Sequence, residues 1–189
     1  MNEKLYDKLM LHRPSQQQPE WHLFLQLCEW YLEKHKIEKP IVVELGCLRS
    51  KQRRFYEQLF GAEWIGVDKS AKGNPTIHGD THDPATMAAL VEKLNDREID
   101  ILFIDAGHRY TDVRQDFEGY APLCSGIIVI HDTEIRPPHK CDVRFFWNEL
   151  IEWSQRPRSR YGESMFINLC QYRYQTWERR VGIGVIIQR

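Results

Sequence analysis

The residues with the clearest chemical potential in this chain directly follow a short apolar segment. In the stretch DILFIDAGHRYTDV, residues 100–113, an apolar run ends on Asp105, and His108 follows three residues later. Carboxylates can bind a cation or orient a base, and a histidine with a pKa near ~6.5 can accept a proton. The pattern indicates either a strand that simply leaves the core or a strand that delivers these groups to a pocket.

Four other apolar segments also end on polar groups, at 44–49, at Asp68, at Asp80 and at His131-Asp132. The five apolar segments, which we predict to be strands, read KPIVVELG, EWIGVD, PTIHGD, IDILFIDA and GIIVIHD. Amphipathic helices are predicted between and around them, at 21–36, 50–60 (capped by Ser50), 84–96, 111–123 (capped by Thr111) and 142–154. Two more strands are predicted in MFINLCQYRYQTW and VGIGVIIQR, and residues 1–19 are predicted to be an irregular arm.

This alternation predicts an α/β, Rossmann-like doubly wound sheet, mostly parallel, with helices on both faces. The carboxyl ends of parallel strands share one edge, which is where such sheets bind ligands. We therefore expect the five polar groups to surround a common pocket. Residues 1–36 would form an N-terminal arm and helix, and residues 37–189 the Rossmann-like domain.

Composition favours a soluble, cytoplasmic protein with a small-molecule substrate. The 189 residues carry a net charge of −1, which gives no electrostatic reason to expect nucleic acid. No apolar run approaches the ~20 residues that cross a bilayer, and the five cysteines contain no CxxC pair. Formation of a homo-oligomer is left open, and the arginines of the segment 156–163 are expected to be a solvated surface.

The first strand–helix turn, ELGCLRSKQRR, restricts the choice of cofactor. A dinucleotide site needs several glycines for close approach to a pyrophosphate, whereas only Gly46 is present here. A nicotinamide-dependent oxidoreductase is therefore disfavoured. An adenosyl cofactor without a diphosphate needs only one glycine for close approach, because it has no phosphate to bind. In such a site Asp68 could accept hydrogen bonds from two ribose hydroxyls, and Asp80 could face an adenine amino group.

The ordered motifs resemble those of class I S-adenosylmethionine-dependent methyltransferases. They are E-x-G at 44–46, the strand-ending acid at 68, GD at 79–80, FIDAGHRYTDVRQDFEGYAPL and GIIVIHDT. More narrowly, the chain is similar to the branch that holds cephalosporin-hydroxylase-like proteins and macrolide-sugar O-methyltransferases. The similarity covers roughly residues 40–153 and implies an antiparallel last strand.

The resemblance also implies roles for individual residues. Cofactor contacts would lie at Glu44, Gly46, Asp68, Asp80 and Asp105. Asp105 and Asp132 would hold a divalent cation such as Mg²⁺. If His131, which departs from the family pattern, is a further ligand, Mn²⁺, Fe²⁺ or Zn²⁺ is favoured; otherwise His131 only orients Asp132 or packs beneath the site. His108 would be the general base, with Asp105 as its catalytic partner. Alternatively, Asp105 holds the amino group of the methionine moiety without a metal, and His108 is a solvated loop residue.

The chain departs from the family pattern in two places. The Arg49-Ser50-Lys51 stretch stands where a second glycine is usual, and His131 stands where macrolide-type relatives have a glutamate. The sequence thus favours an S-adenosylmethionine-dependent methyltransferase acting on a small-molecule hydroxyl, assisted or not by a metal. An S-adenosylmethionine-binding module without catalysis is the main alternative.

Overall fold

The computed structural model describes residues 1–12, 14, 16, 18–134, 141–157, 159–169 and 182–188. Its strands form one seven-stranded sheet in the order β3-β2-β1-β4-β5-β7-β6. The strands are β1 Ile41–Leu45, β2 Glu63–Asp68, β3 Ile77–His78, β4 Ile99–Ile104, β5 Cys124–His131, β6 Met165–Leu169 and β7 Ile183–Ile187. Strands β1 to β5 pair in parallel, while β7 is antiparallel to both β5 and β6. The predicted fold class is confirmed, including an antiparallel last strand.

Helices cover both faces of the sheet. They are α1 Glu3–Met10, α2 Gln18–His35, α3 Arg53–Phe60, α4 Pro84–Leu94, α5 Tyr110–Tyr120 and α6 Val143–Ser154. Buried apolar residues of α4, α5 and α6 pack with alternate strand residues on one face. Those of α1, α2 and α3 pack on the other. Since each central strand is apolar towards both faces, the two layers enclose it and fix the edge where the strands end.

The helix α1 lies within the segment that the sequence predicted to be irregular, so that prediction was wrong. The Asn2 side chain accepts a hydrogen bond from the Leu5 backbone N–H and caps the helix. Tyr6 and Leu9 are buried against the core of the second face. The few apolar residues of α1 form too short a pattern to indicate a helix in a segment whose composition is otherwise polar.

Two predicted helix caps are also corrected. Ser50 does not cap α3, because its φ is +50° and its hydroxyl donates to the Gly73 carbonyl oxygen instead, at 2.7 Å. Thr111 lies inside α5, whose N-cap is Arg109. Asp83 caps α4, since its side chain accepts from the Ala85 N–H at 2.9 Å.

The late part of the chain agrees with prediction where it is described. The first predicted late strand is observed at 165–169, and residues 170–177 of that motif lie outside the described residues. Trp147 is fully buried in the core. Among the described residues, no helix combines the length and the apolar character that a membrane span needs.

Candidate active site

A cleft opens at the carboxyl ends of β1 to β4, where the sheet topology places ligands. Its wall includes two of the predicted cofactor acids, Asp68 and Asp80, together with Gly46. The remaining lining residues are Val67, Lys69, Thr81, His82, Ala106, Gly107 and Asp112. The structure thus brings Gly46, Asp68 and Asp80 to one cleft.

Asp68 anchors the floor of the cleft through the backbone. One of its oxygens accepts from the Leu48 N–H at 2.6 Å, and the other accepts from the Ser70 N–H at 2.7 Å. A carboxylate has about four lone-pair sites, so two acceptor positions remain for the hydroxyls of a ribose. The buried position of Asp68 is therefore compatible with its expected role.

Gly46 is required by the packing of the chain itself. Its φ is +81°, a left-handed conformation, and a Cβ at this position would overlap the Asp105 carbonyl oxygen and the Ala106 backbone. The end of β4 can therefore cross directly over the turn that follows β1. This crossing places the backbone of Asp105 beside the cleft.

Glu44 lies below the cleft rather than in its lining. The side chain is fully buried, and its Oε2 accepts a hydrogen bond from Trp64 Nε1 at 2.9 Å. Burial raises the pKa of Glu44 to about 8, and the neighbouring Asp105 and Asp68 charges add to this rise, which the Trp64 hydrogen bond opposes. Glu44 is therefore mostly protonated at neutral pH.

The turn between β1 and α3 has an unusual backbone. Leu48 and Ser50 both adopt positive φ, +46° and +50°, in which non-glycine residues are strained. The Ser50 hydroxyl fixes this turn to Gly73, in the β2–β3 connection. The Arg49-Ser50-Lys51 stretch, which stands where the family usually has a glycine, thus forms a turn that is held by a side-chain hydrogen bond.

Four residues at the ends of β4 and β5 form a compact group, which we call the catalytic cluster: Asp105, His108, His131 and Asp132. His131 lies at its centre and is buried, with Nδ1 3.2 Å from Asp105 Oδ1 and 3.0 Å from Asp132 Oδ1. Although burial lowers the pKa of His131, the two carboxylates outweigh burial and raise it to about 10. The ring is therefore a cation between two anions at neutral pH.

His108 occupies the exposed side of the catalytic cluster. Its Nδ1 lies 2.9 Å from Asp132 Oδ2, and about half of its side chain is accessible. The contact with Asp132 raises the pKa of His108, against the opposing effect of burial. Burial by itself would raise the pKa of Asp132, but its contacts with His108 and His131 hold that pKa well below the usual range.

Two overlapping sets of side chains have the spacing of metal ligands. The predicted set, Asp105, His131 and Asp132, has ligand atoms within 4.8 Å of one another. A second set combines His108 and Asp132 with Cys141, a buried residue that the sequence analysis did not single out. The spacing fits a cation in the predicted set, provided that His131 gives up the proton it holds between the carboxylates.

Gln16 is another residue that the sequence did not predict at the site. It is buried, and its Nε2 donates to Asp105 Oδ2 at 3.3 Å. It lies in the polar tract before α2, more than 80 residues away in sequence from Asp105. No local pattern marks such a contact, because only the tertiary fold brings α2 over the end of β4.

Comparison with known proteins identifies the family of the chain. Residues 38–133, more than half of the chain, match a family described as methyltransferase domain. The chain therefore belongs to this family of methyltransferases. Its fold is that of the class I S-adenosylmethionine-dependent methyltransferases, which confirms the resemblance drawn from the sequence motifs.

Solved structures of low sequence identity share the fold. MycE, a methyltransferase from the mycinamycin biosynthetic pathway in complex with Mg and SAH, has a TM-score of 0.59 and 17% identity, over 85% of this chain and 48% of that chain. The magnesium protoporphyrin IX methyltransferase ChlM from Synechocystis PCC 6803, with bound SAM, has a TM-score of 0.57 and 11% identity, over 100% and 93%. The O-methyltransferase TomG from Streptomyces achromogenes, in complex with SAM, has a TM-score of 0.52 and 10% identity, over 87% and 78%.

One curated relative has a similar sequence. The uncharacterized protein y4gI of Sinorhizobium fredii (strain NBRC 101917 / NGR234) is 36% identical over 67 residues, 34% of this chain and 7% of that protein. The present chain thus spans only a small part of that relative, and about half of MycE.

Proposed function

We propose that this protein transfers the methyl group of S-adenosylmethionine to a hydroxyl of a small molecule, with His108 as the general base. One observation carries the proposal: a single short segment joins the cleft to the catalytic cluster. Ala106 and Gly107 line the cleft, whereas Asp105 and His108, on either side of them, belong to the catalytic cluster. A nucleoside bound in the cleft would thus have its reactive end beside the base.

The cleft offers acceptors where a nucleoside has donors. Asp68 retains two lone-pair positions for ribose hydroxyls, and Asp80 uses only one oxygen in the structure, to accept from the His82 N–H at 3.0 Å. Without a bound metal, Asp105 would face the amino group of the methionine moiety from the end of β4. The cofactor, when bound, supplies an electrophilic methyl group on a positively charged sulfur. MycE and TomG, which share the fold, have been crystallised with SAH and SAM.

His108 has the orientation of a base held by a carboxylate. Asp132 accepts a hydrogen bond from Nδ1–H, so Nε2 keeps its lone pair for the proton of an acceptor hydroxyl. As the oxygen attacks the methyl carbon, a C–O bond forms, the C–S bond breaks and the proton moves to Nε2. Because His108 is half exposed, solvent can then remove this proton.

Asp105, His131 and Asp132 are the residues that would hold a divalent cation. Such an ion would lower the pKa of the acceptor hydroxyl, and MycE, which shares the fold, contains Mg. The imidazolium of His131 already compensates the two carboxylates in the absence of a metal.

Binding and transfer can be tested separately. Calorimetric titration with S-adenosylhomocysteine and with NAD compares the two cofactor classes, and binding of the adenosyl compound alone is the expected result. Transfer is then measured with methyl-labelled S-adenosylmethionine and a panel of polyhydroxylated small molecules. Tight adenosyl binding with no transfer to any hydroxyl would favour a binding module, while absence of adenosyl binding would refute the proposal.

A further inference from the structure

The side-chain amide of Gln16 has one atom that is paired and one that is not. Nε2 donates to Asp105 Oδ2 at 3.3 Å, whereas Oε1 is buried and has no hydrogen-bond partner among the described residues. Only 6% of Gln16 is exposed. An unpaired oxygen so far from solvent is costly, which makes Oε1 a candidate for binding a ligand at the catalytic cluster.

Glu20 holds the start of α2 beside the catalytic cluster. It lies four residues after Gln16 and is buried, and the backbone N–H of Gly182, just before β7, donates to its carboxylate. Burial raises the pKa of Glu20, and the nearby charge of His131 opposes that rise. The contact with Gly182 ties α2 to the sheet, so the place of Gln16 next to Asp105 does not depend on one hydrogen bond.

The three predicted cation ligands supply few oxygens for a hard ion. Asp105, His131 and Asp132 bring their ligand atoms within 4.8 Å of one another, but Mg²⁺ and Mn²⁺ bind about six ligands, most of them oxygens. An amide carbonyl oxygen is a donor that hard cations accept. Gln16 contacts Asp105 at Oδ2, whereas His131 lies beside Oδ1, so the amide and the imidazole approach different oxygens of the same carboxylate.

A half-turn of the Gln16 amide about its last side-chain bond exchanges its nitrogen and its oxygen. Oε1 would then take the place of Nε2, 3.3 Å from Asp105 Oδ2. Two acceptor oxygens at this distance repel each other unless a cation binds both, and adjacent oxygen ligands of one octahedral ion are about 3 Å apart. The observed orientation therefore suits the metal-free site, and the reversed orientation suits a site that holds an ion.

We propose that Gln16 Oε1 is a further ligand of the divalent cation held by Asp105, His131 and Asp132. This inference rests on the cation site put forward with the proposed function, and it adds a ligand from the segment before α2. The additional oxygen suits Mn²⁺. Binding of the ion and the position of the N-terminal segment are then coupled, because one ligand comes from that segment.

The first test is calorimetric titration with Mn²⁺. Gln16→Met has a side chain of similar length without the oxygen, and we expect it to bind Mn²⁺ about tenfold more weakly than the wild-type protein. Gln16→Glu keeps a side-chain oxygen and should bind at least as tightly as the wild-type protein. Gln18→Met is the matched control, because Gln18 belongs to the same segment but is exposed. A wild-type affinity in Gln16→Met would overturn the inference.

The second test detects the metal–ligand contact directly in the wild-type protein. Electron–nuclear double resonance of bound Mn²⁺, with the side-chain carbonyl carbon of glutamine labelled with ¹³C, should show a ¹³C coupling. The coupling should disappear in Gln16→Met and persist in Gln18→Met. Bound Mn²⁺ without this coupling would overturn the inference and leave Gln16 as a hydrogen-bond donor to Asp105, and failure of the wild-type protein to bind Mn²⁺ would overturn it as well.

Titration of the same wild-type protein with S-adenosylhomocysteine separates this inference from the proposed function. Adenosyl binding together with a negative result for Mn²⁺ would overturn only the ligand role of Gln16. Absence of adenosyl binding would overturn the proposed methyl transfer, and the inference with it.

Discussion

His108 Nδ1 lies 2.9 Å from Asp132 Oδ2, so the residue after β5 fixes the orientation of a ring that follows β4. The two strands are neighbours in the sheet, and the pair therefore forms wherever the fold forms. The opposite nitrogen, Nε2, is left for a substrate proton on the half-exposed side. This relationship distinguishes His108 from a loop histidine that merely contacts solvent.

Replacing His108 by Ala tests its role as base. General-base catalysis contributes about 10²–10⁴-fold to a rate, so kcat should fall by that factor with any acceptor found in the panel. The affinity for S-adenosylhomocysteine should stay close to that of the wild-type protein, as should the rate of the control His22→Ala, since His22 also pairs with an acid, Glu3, but outside the cleft lining. An unchanged kcat in His108→Ala would remove His108 from the mechanism.

Glu44 should make the stability of the protein depend on pH. Its pKa is about 8 in the folded protein against an ordinary value of 4.5, so the folded state binds the proton more tightly. Protonated Glu44 therefore stabilises the folded state fully below pH 4.5, and this stabilisation is lost as pH rises from 4.5 to about 8.

The variant Glu44→Gln isolates this effect, because a glutamine can still accept from Trp64 without ionising. Its free energy of unfolding, relative to the wild-type protein, should increase by up to about 1.4 kcal/mol per pH unit across the window. Urea denaturation at several pH values measures the difference. A difference that does not vary with pH would mean that Glu44 has an ordinary pKa.

Gly46→Ala should destabilise the protein strongly, although it adds only one methyl group. It combines a positive φ with overlap of the Asp105 backbone, and we expect a loss of about 2–4 kcal/mol in urea denaturation. Gly61→Ala is the control, since Gly61 also has a positive φ, +63°, but only one atom near its Cβ position, at 3.9 Å. Its cost should be only about 1 kcal/mol. Equal losses in both variants would contradict the crossing of the two loops.

Divalent ions should bind at Asp105, His131 and Asp132 according to the donors that these residues offer. One nitrogen and two carboxylates favour Mn²⁺ or Zn²⁺ over Mg²⁺, so thermal unfolding should shift upward more with the first two ions. The shift should disappear in Asp105→Asn and persist in His22→Ala. Equal shifts in Asp105→Asn and the wild-type protein would place the ion elsewhere.

The fold was largely predictable because its signals are local. Each strand of β1 to β5 lies in a short apolar run with a polar residue at or next to its carboxyl end, and Asp83-Pro84 marks the start of α4. The errors lie where tertiary contacts decide. Ser50 has the side chain of a helix cap, yet it donates to the Gly73 carbonyl oxygen, and α1 depends on burial of Tyr6 and Leu9.

The candidate site was predictable in its composition but not in its pairings. Strand ends brought Asp105 and Asp132 together as expected, whereas the burial of Glu44 against Trp64 depends on the register between β1 and β2. His82 Nε2 lies 3.2 Å from Asp116 Oδ1, although a helix and a strand separate the two residues in sequence. No spacing rule links them, because the contact exists only after α5 packs beside the turn that follows β3.

A crystal structure of the protein with S-adenosylhomocysteine is the most direct test of the central claim. The account predicts that the ribose contacts Asp68, that the purine lies beside Asp80 and His82, and that the sulfur lies next to the 105–108 segment, facing His108. A ligand bound elsewhere, or with its sulfur directed away from His108, would contradict it.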